Sequence, residues 1–200
     1  LNTTWTNDKR DSLIYTTSGS LQRAYAEIGL PGADLKFYKL NYQHQKFFPL
    51  TKEITLMLNG EFGLGDGYSG ETLPFFRNFY AGGMGSVRGF KSGSLGPKDV
   101  YPNEENALGG NRRLVGNAEF LMPVPGFGLD KSFRFGGFFD AGYVWATGEK
   151  MRLSDLRYSV GVSVAWASPF GPLKVSVAQP LNKKSGDQIE RFQFQMGTSF

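Results

Sequence analysis

The last twelve residues, IERFQFQMGTSF (Ile189–Phe200), decide the fold. Phe192, Phe194, Met196, Thr198 and Phe200 fall on one parity; Arg191, Gln193, Gln195, Gly197 and Ser199 fall on the other. Successive side chains of an extended strand point to opposite faces, so this stretch reads as a strand with one greasy and one polar face. The alternation recurs upstream. Val160, Val162, Val164 and Trp166 alternate with Ser159, Gly161, Ser163 and Ala165, and Leu173, Val175 and Val177 alternate with Lys174, Ser176 and Ala178. In SFRFGGFFDAGYVW (Ser132–Trp145), Phe133, Phe135, Phe139, Ala141, Tyr143 and Trp145 share one face, and Arg134, Gly136, Asp140 and Gly142 the other. In EITLMLNGEFGL (Glu53–Leu64), Ile54, Leu56, Leu58, Phe62 and Leu64 oppose Thr55, Met57, Asn59, Glu61 and Gly63. No segment carries a 3.6-residue apolar stripe, so the expected class is all-β.

About nine strand candidates follow, near 1–7, 18–29, 34–48, 52–64, 112–123, 131–146, 156–168, 171–181 and 188–200. Globular strands usually run to about five or six residues, whereas a strand crossing a bilayer at a tilt needs ~9–11. The separators FFPLTKE, ASPFGPL and PLNKKSGDQ are short and carry Pro or Gly, while the stretch of about 65–111 is very long. Short turns on one side and long loops on the other predict an antiparallel transmembrane β-barrel. In it Phe135, Phe139, Val162, Trp166, Phe192 and Phe194 face lipid, and Glu119, Asp140, Arg134 and Gln193 face the lumen. Phe133, Trp145, Tyr158 and Trp166, near strand ends, are read as interfacial girdle residues. The competing fold is a soluble lipocalin-like barrel or sandwich, whose apolar parity would turn inward.

Composition agrees with either solution. The 200 residues suit one domain or one barrel, and a mean hydropathy of −0.31 fits a soluble protein or a barrel whose two faces cancel. No run approaches the ~18–20 apolar residues of a spanning helix. The absence of cysteine removes disulfides and thiolate metal sites. The net charge of +4 is scattered, which argues against nucleic acid as the partner. Leu1 opens the chain in what reads as a strand, so the chain is expected to be a piece of a longer protein. With this many strands, unpaired edges must be removed: the sheet is expected to close as a small barrel or to pair with a second copy as a homodimer. A small barrel would have no room for the long loop.

Candidate chemistry is sparse. GDGYSG (Gly65–Gly70) fits a dinucleotide pattern, but Pro74 follows where a helix should start, which leaves a glycine-rich turn. His44 is the only histidine and lies on the parity of Tyr38, Leu40 and Tyr42, so no catalytic triad is expected. No metal-ligand spacing and no cofactor motif occur. Glu119 and Asp140 each sit mid-strand on the polar parity. Two acids could serve a glycosidase, yet the same face lacks the aromatic platforms of a carbohydrate site. A structural role is favoured: two anions awaiting a cation. GGMGSVRGF (Gly82–Phe90) supplies one, because the guanidinium of Arg88 can bridge two carboxylates and its glycine neighbours permit a tight tip. The long loop then reads as a plug.

At these residues the chain resembles the BamA-like outer-membrane β-barrel assembly family. The motif Val87-Arg88-Gly89-Phe90 is similar to that family's VRGF/Y loop motif. FRNFYAGG, AEFLMPVPG, FFDAGYVW, ASPFGPLKVSVAQPL and RFQFQMGTSF also resemble it, in order, along nearly the whole chain. The resemblance implies the later half of a sixteen-stranded barrel, without POTRA domains or the first strands, and with the arginine loop folded into the lumen against Glu119 and Asp140. It implies a non-enzymatic outer-membrane protein, free of cofactors, that folds and inserts other barrel proteins through a weak seam at its last strand. That strand is about 188–200, with Phe192, Phe194, Met196 and Phe200 along it and Gly197 at an inward kink. Implied partners are membrane lipids, client barrel proteins and the lipoproteins of the assembly complex. The alternative is a two-partner-secretion pore that exports an unfolded chain.

Overall fold

The alternating segments assemble into one antiparallel sheet. The computed structural model describes residues 1–200 except 14, 31, 33, 34, 100–105, 125–131, 170 and 198–200. In chain order the strands are β1 (Asn2–Asp8), β2 (Gly19–Ile28), β3 (Phe37–Pro49), β4 (Thr55–Gly67), β5 (Gly89–Phe90), β6 (Arg112–Pro123), β7 (Phe133–Trp145), β8 (Arg157–Ser168), β9 (Gly171–Pro180), β10 (Ile189–Glu190) and β11 (Phe192–Met196). Nine of them form a sheet ordered β1-β2-β3-β4-β6-β7-β8-β9-β11, and β10 with β5 forms a second, two-stranded piece. β3, β4 and β7 have 13 residues each. At ~3.3 Å per residue such a strand reaches roughly 40 Å, enough to cross a bilayer core at a tilt. The long connection runs from 68 to 111, three residues later at its start than expected, because β4 continues to Gly67.

Exposure assigns the faces. Phe139, Val162 and Phe194 are 43%, 46% and 58% exposed, whereas Glu119 and Asp140 are 1% and 0% exposed. Gln193 is buried as well. The apolar parity therefore points out and the charged parity points in, the reverse of the soluble alternative. Phe133 stacks on Trp166 with ring centroids 5.3 Å apart, and Phe139 on Tyr158 at 5.8 Å, so outward aromatics pair across neighbouring strands. Trp145 departs from the girdle expectation. It is buried, because the single helical turn Leu153–Asp155 follows close by and Asp155 accepts its indole N–H at 3.3 Å.

Two further expectations need correction. The sheet does not close as a small barrel: among the described residues β1 and β11 are its two ends and share no ladder. A closed barrel of about eight strands is filled by its own side chains, whereas here the long loop occupies the concave side. The terminal strand is also not continuous over its described residues, 188–197. Ile189 and Glu190 pair with Phe90 and Gly89 of the loop, and Phe192–Met196 pair with β9, flanked by hydrogen bonds from Ala178 to Arg191 and from Gly197 to Pro172. Pro180 ends β9 without an N–H, so the ladder lacks a donor where the upper part of the terminal strand would continue.

Candidate functional site

The loop between β4 and β6 folds as a hairpin of irregular arms. Phe79 bridges Gly110, Ala81 bridges Leu95 and Lys98 bridges Ala107. At the tip, Gly83 N–H donates to the carbonyls of Val87 and Phe90, and Ser86 N–H donates to Gly83. Phe79, Ala81, Val87, Phe90 and Leu95 form a buried apolar cluster with Val115 of β6 and Val144 of β7. A greasy underside thus docks the loop on the wall. The wall makes room for it at Gly142, where a Cβ would lie 2.8 Å from a methyl of Val87. Gly89 has φ +87°, so the residue after the arginine turns the chain through a region that disfavours side chains.

That turn aims Arg88, 2% exposed, at both acids. Its Nε donates to Asp140 Oδ2 at 2.7 Å and its Nη2 to Asp140 Oδ1 at 2.8 Å, a two-pronged pair. Its backbone N–H also donates to Asp140 Oδ2 at 3.0 Å, and Nη1 reaches Glu119 Oε2 at 3.1 Å. The guanidinium lies 3.3 Å from the ring centroid of Phe138. Burial opposes the charge on Arg88, but the hydrogen bonds and fields of Asp140 and Glu119 outweigh it and hold its pKa above the usual value.

Further partners complete the cluster. Lys174 Nζ of β9 donates to Glu119 Oε2 at 3.1 Å, and Ser163 Oγ of β8 donates to Glu119 Oε1 at 2.5 Å. Asn117 Nδ2 donates to Asp140 Oδ1 at 2.8 Å and to the carbonyl of Ser86 at 2.6 Å. Asn117 in turn accepts from Asn59, which accepts from Gln43. Two cations face two anions, and every oxygen of both carboxylates accepts a hydrogen bond. Neither acid is left poised for proton transfer, so the cluster does not suit a glycosidase. Such buried pairs add little net stability because desolvation offsets their attraction, but removing one member leaves the rest uncompensated. What the cluster does well is hold the loop in one position.

The sequence put Val87, Arg88, Gly89 and Phe90 on the loop and Glu119 and Asp140 on the inner wall, and the structure brings these six together. Phe138, Asn117, Ser163 and Lys174 were not singled out, although parity places them on the same face. Of the terminal-strand residues, Phe192, Phe194 and Met196 point outward and are exposed. Gly197 has φ +82° and still donates its N–H to Pro172 at 3.0 Å. Among the described residues nothing lies within 4 Å of where its Cβ would be, and the positive φ is what favours glycine there. Phe200 lies outside the described residues. Among those residues no three His, Cys, Asp or Glu side chains gather as metal ligands would.

Comparison with known proteins adds to this geometry. The model of the Omp85 superfamily domain matches residues 1–200. The chain is 45% identical, over 98% of its length, to the outer membrane protein assembly factor BamA of Neisseria meningitidis serogroup B, and covers 28% of that protein. It is 28% identical over its full length to a SAM50-like protein of Schizosaccharomyces pombe, covering 44% of it. Its fold resembles the crystal structure of BamA from Haemophilus ducreyi lacking POTRA domains 1–3, with a TM-score of 0.89 and 30% identity, over all of this chain and 42% of that one. The chain thus spans between 28% and 44% of the length of these three proteins.

Proposed function

We propose, from the premise that this chain belongs to the Omp85 superfamily, that it is the later part of an outer-membrane barrel whose whole protein folds and inserts other barrel proteins. Its place is the bacterial outer membrane, as for the BamA proteins it resembles. The observation that carries the reading is the inverted wall: an exposed apolar outer face, and an inner face whose buried charges clamp one loop. Lipid takes the first face. The second gives the lumen a fixed internal strut, so the wall keeps its shape while an edge is left free.

The edge offered to a client is β11. Among the described residues its ladder to β9 covers Phe192 to Met196, and Pro180 withholds the N–H that would carry it further up the strand. In lipid an unpaired strand edge is costly, so an incoming strand gains by pairing there and exchanges only a short ladder. The process needs no catalytic side chain, nucleotide or cofactor. It involves lipids, client barrel proteins and the lipoproteins of the assembly complex; a second copy pairing edge to edge is the competing occupant of the seam. The name of the Neisseria meningitidis relative weighs against the export pore, since that protein is an outer membrane protein assembly factor.

The test is reconstitution of the full-length protein into liposomes, with folding of an unfolded client barrel followed over time. Faster client folding than in protein-free liposomes is expected, with Arg88→Ala well below wild type. Equal rates with and without the wild-type protein would sink the reading.

A further inference from the structure

We propose that Gln193 is a positioning residue that couples the arginine loop to the terminal strand, so that the seam strand is straight and paired only while the loop is seated. The proposal rests on the seam reading above for its functional meaning, but its geometry stands separately. Gln193 lies in β11 on the inner face and is buried. Its Nε2 donates to the carbonyl of Phe90 at 2.8 Å and to Glu190 Oε2 at 3.3 Å, while its Oε1 accepts the N–H of Gly89 at 3.4 Å. One amide side chain therefore copies the donor and acceptor of a strand residue, and spends both on the two loop residues that follow Arg88.

The backbone repeats the same link. Ile189 and Glu190 pair with Phe90 and Gly89, and Lys91 N–H donates to the carbonyl of Gln188 at 2.9 Å. Below that point the terminal strand returns to the sheet, with Ala178 N–H donating to Arg191 at 2.9 Å. Pro180 is why the upper part needs another partner: it has no N–H to offer. A Cβ on Gly89 would lie 3.0 Å from that of Ala178 and 3.3 Å from the Pro180 ring, so the loop takes the place the wall vacates. The terminal strand thus has two partners in succession, β9 for Phe192–Met196 and the loop for Ile189–Glu190. Gln193 sits where they meet. If Arg88 leaves its acids, the two loop residues beside it move too, and the upper half of the terminal strand loses both its ladder and the amide brace.

Amide hydrogen exchange on the full-length protein in micelles tests this, with wild type, Gln193→Met, Gln193→Glu, Arg88→Lys and the double variant Arg88→Lys/Gln193→Met compared. Gln193→Met keeps length while removing the amide, and Gln193→Glu keeps shape while removing the donor to Phe90. Each should raise exchange at Lys91 and across Phe192–Met196 together by about tenfold, the effect of a lost buried hydrogen bond of roughly 1.4 kcal/mol. Arg88→Lys should raise exchange in Phe192–Met196 although the hydrogen bonds of Arg88 go to Asp140 and Glu119, and the double variant should fall short of the product of the singles. Tyr42→Phe, on the exposed outer face of β3 and so away from the loop, should leave Phe192–Met196 at the wild-type rate. The proposal is overturned if Arg88→Lys loosens Ser86–Phe90 while Phe192–Met196 exchange as in wild type, or if the two effects multiply. Client folding by the same variants is scored separately. Coupled exchange without any change in client folding would leave the link standing and remove the seam reading.

Discussion

The two faces of the wall carry opposite chemistry on adjacent residues. Phe139 is exposed and Asp140, its neighbour in β7, is fully buried; Val162 is exposed and Ser163, its neighbour in β8, is buried against Glu119. In a water-soluble sheet the burial would run the other way. The difference teaches that the two faces meet different media. The outer one is smooth, apolar and indifferent to detail, as a lipid contact requires. The inner one is specific, with Arg88, Lys174, Glu119 and Asp140 matched to partners on another strand or on the loop. Substitutions should therefore follow different rules on the two faces.

The largest effect is expected inside. Asp140→Ala leaves Arg88 buried with only Glu119, and should destabilise the full-length protein by ~3–5 kcal/mol in denaturant unfolding from micelles. Glu61→Ala, which breaks the more accessible pair of Glu61 with Arg113, should cost clearly less. Equal losses would mean that the loop clamp is no more than another lumen ion pair.

Next comes the outer face. Val162→Arg places a cation against lipid and should cost ~2–4 kcal/mol if it lies near the midplane. Gln43→Arg on the lumen face should be tolerated. Fluorophores at Phe139 and Val162 should be quenched by lipid-soluble quenchers, and fluorophores at Gln43 should not. Equal quenching would abolish the distinction between the faces.

Smaller effects sharpen the comparison. Phe138→Leu keeps an apolar residue on the inner face but removes the ring beneath Arg88, at ~1 kcal/mol or somewhat more for a desolvated stack. Measured in the Arg88→Ala background, that loss should shrink towards the cost of the shape change alone. Gly197→Val should have the smallest effect on stability, within about 1 kcal/mol, because valine favours extended backbone but not φ +82°. If a straightened end tightens the seam, this variant folds clients more slowly while melting no lower. An unchanged client rate with a straight terminal strand would remove the kink from the mechanism.

Much of the wall was legible because alternation is local. A residue's face follows from its parity, so Glu119, Asp140, Arg134 and Gln193 could be placed inside from the sequence alone. The partners of those residues were less accessible. Phe138 stands two residues before Asp140 on the inner parity, but nothing local distinguishes a lumen phenylalanine under a guanidinium from one filling space. Lys174 reads as one more polar residue of β9; it reaches Glu119 only because β9 and β6 lie three strand positions apart across a curved sheet. Trp145 followed the outward parity to the end of β7 and is buried there, since a turn from the next connection covers it.

By itself the sequence determined the class, the strand positions, the side of the wall each residue faces, and the arginine and acids whose charges must meet. Each of these depends on chain periodicity or on the impossibility of burying lone charges. Only the tertiary structure decided that the long loop packs on the inner face of the sheet, and that the terminal strand divides its hydrogen bonds between β9 and the loop. Both depend on which backbone donors lie beside which acceptors after folding. The proline that ends β9 is visible in the sequence, but the segment that takes over from it, Gly89–Phe90, comes from about ninety residues earlier, and only the fold puts the two side by side.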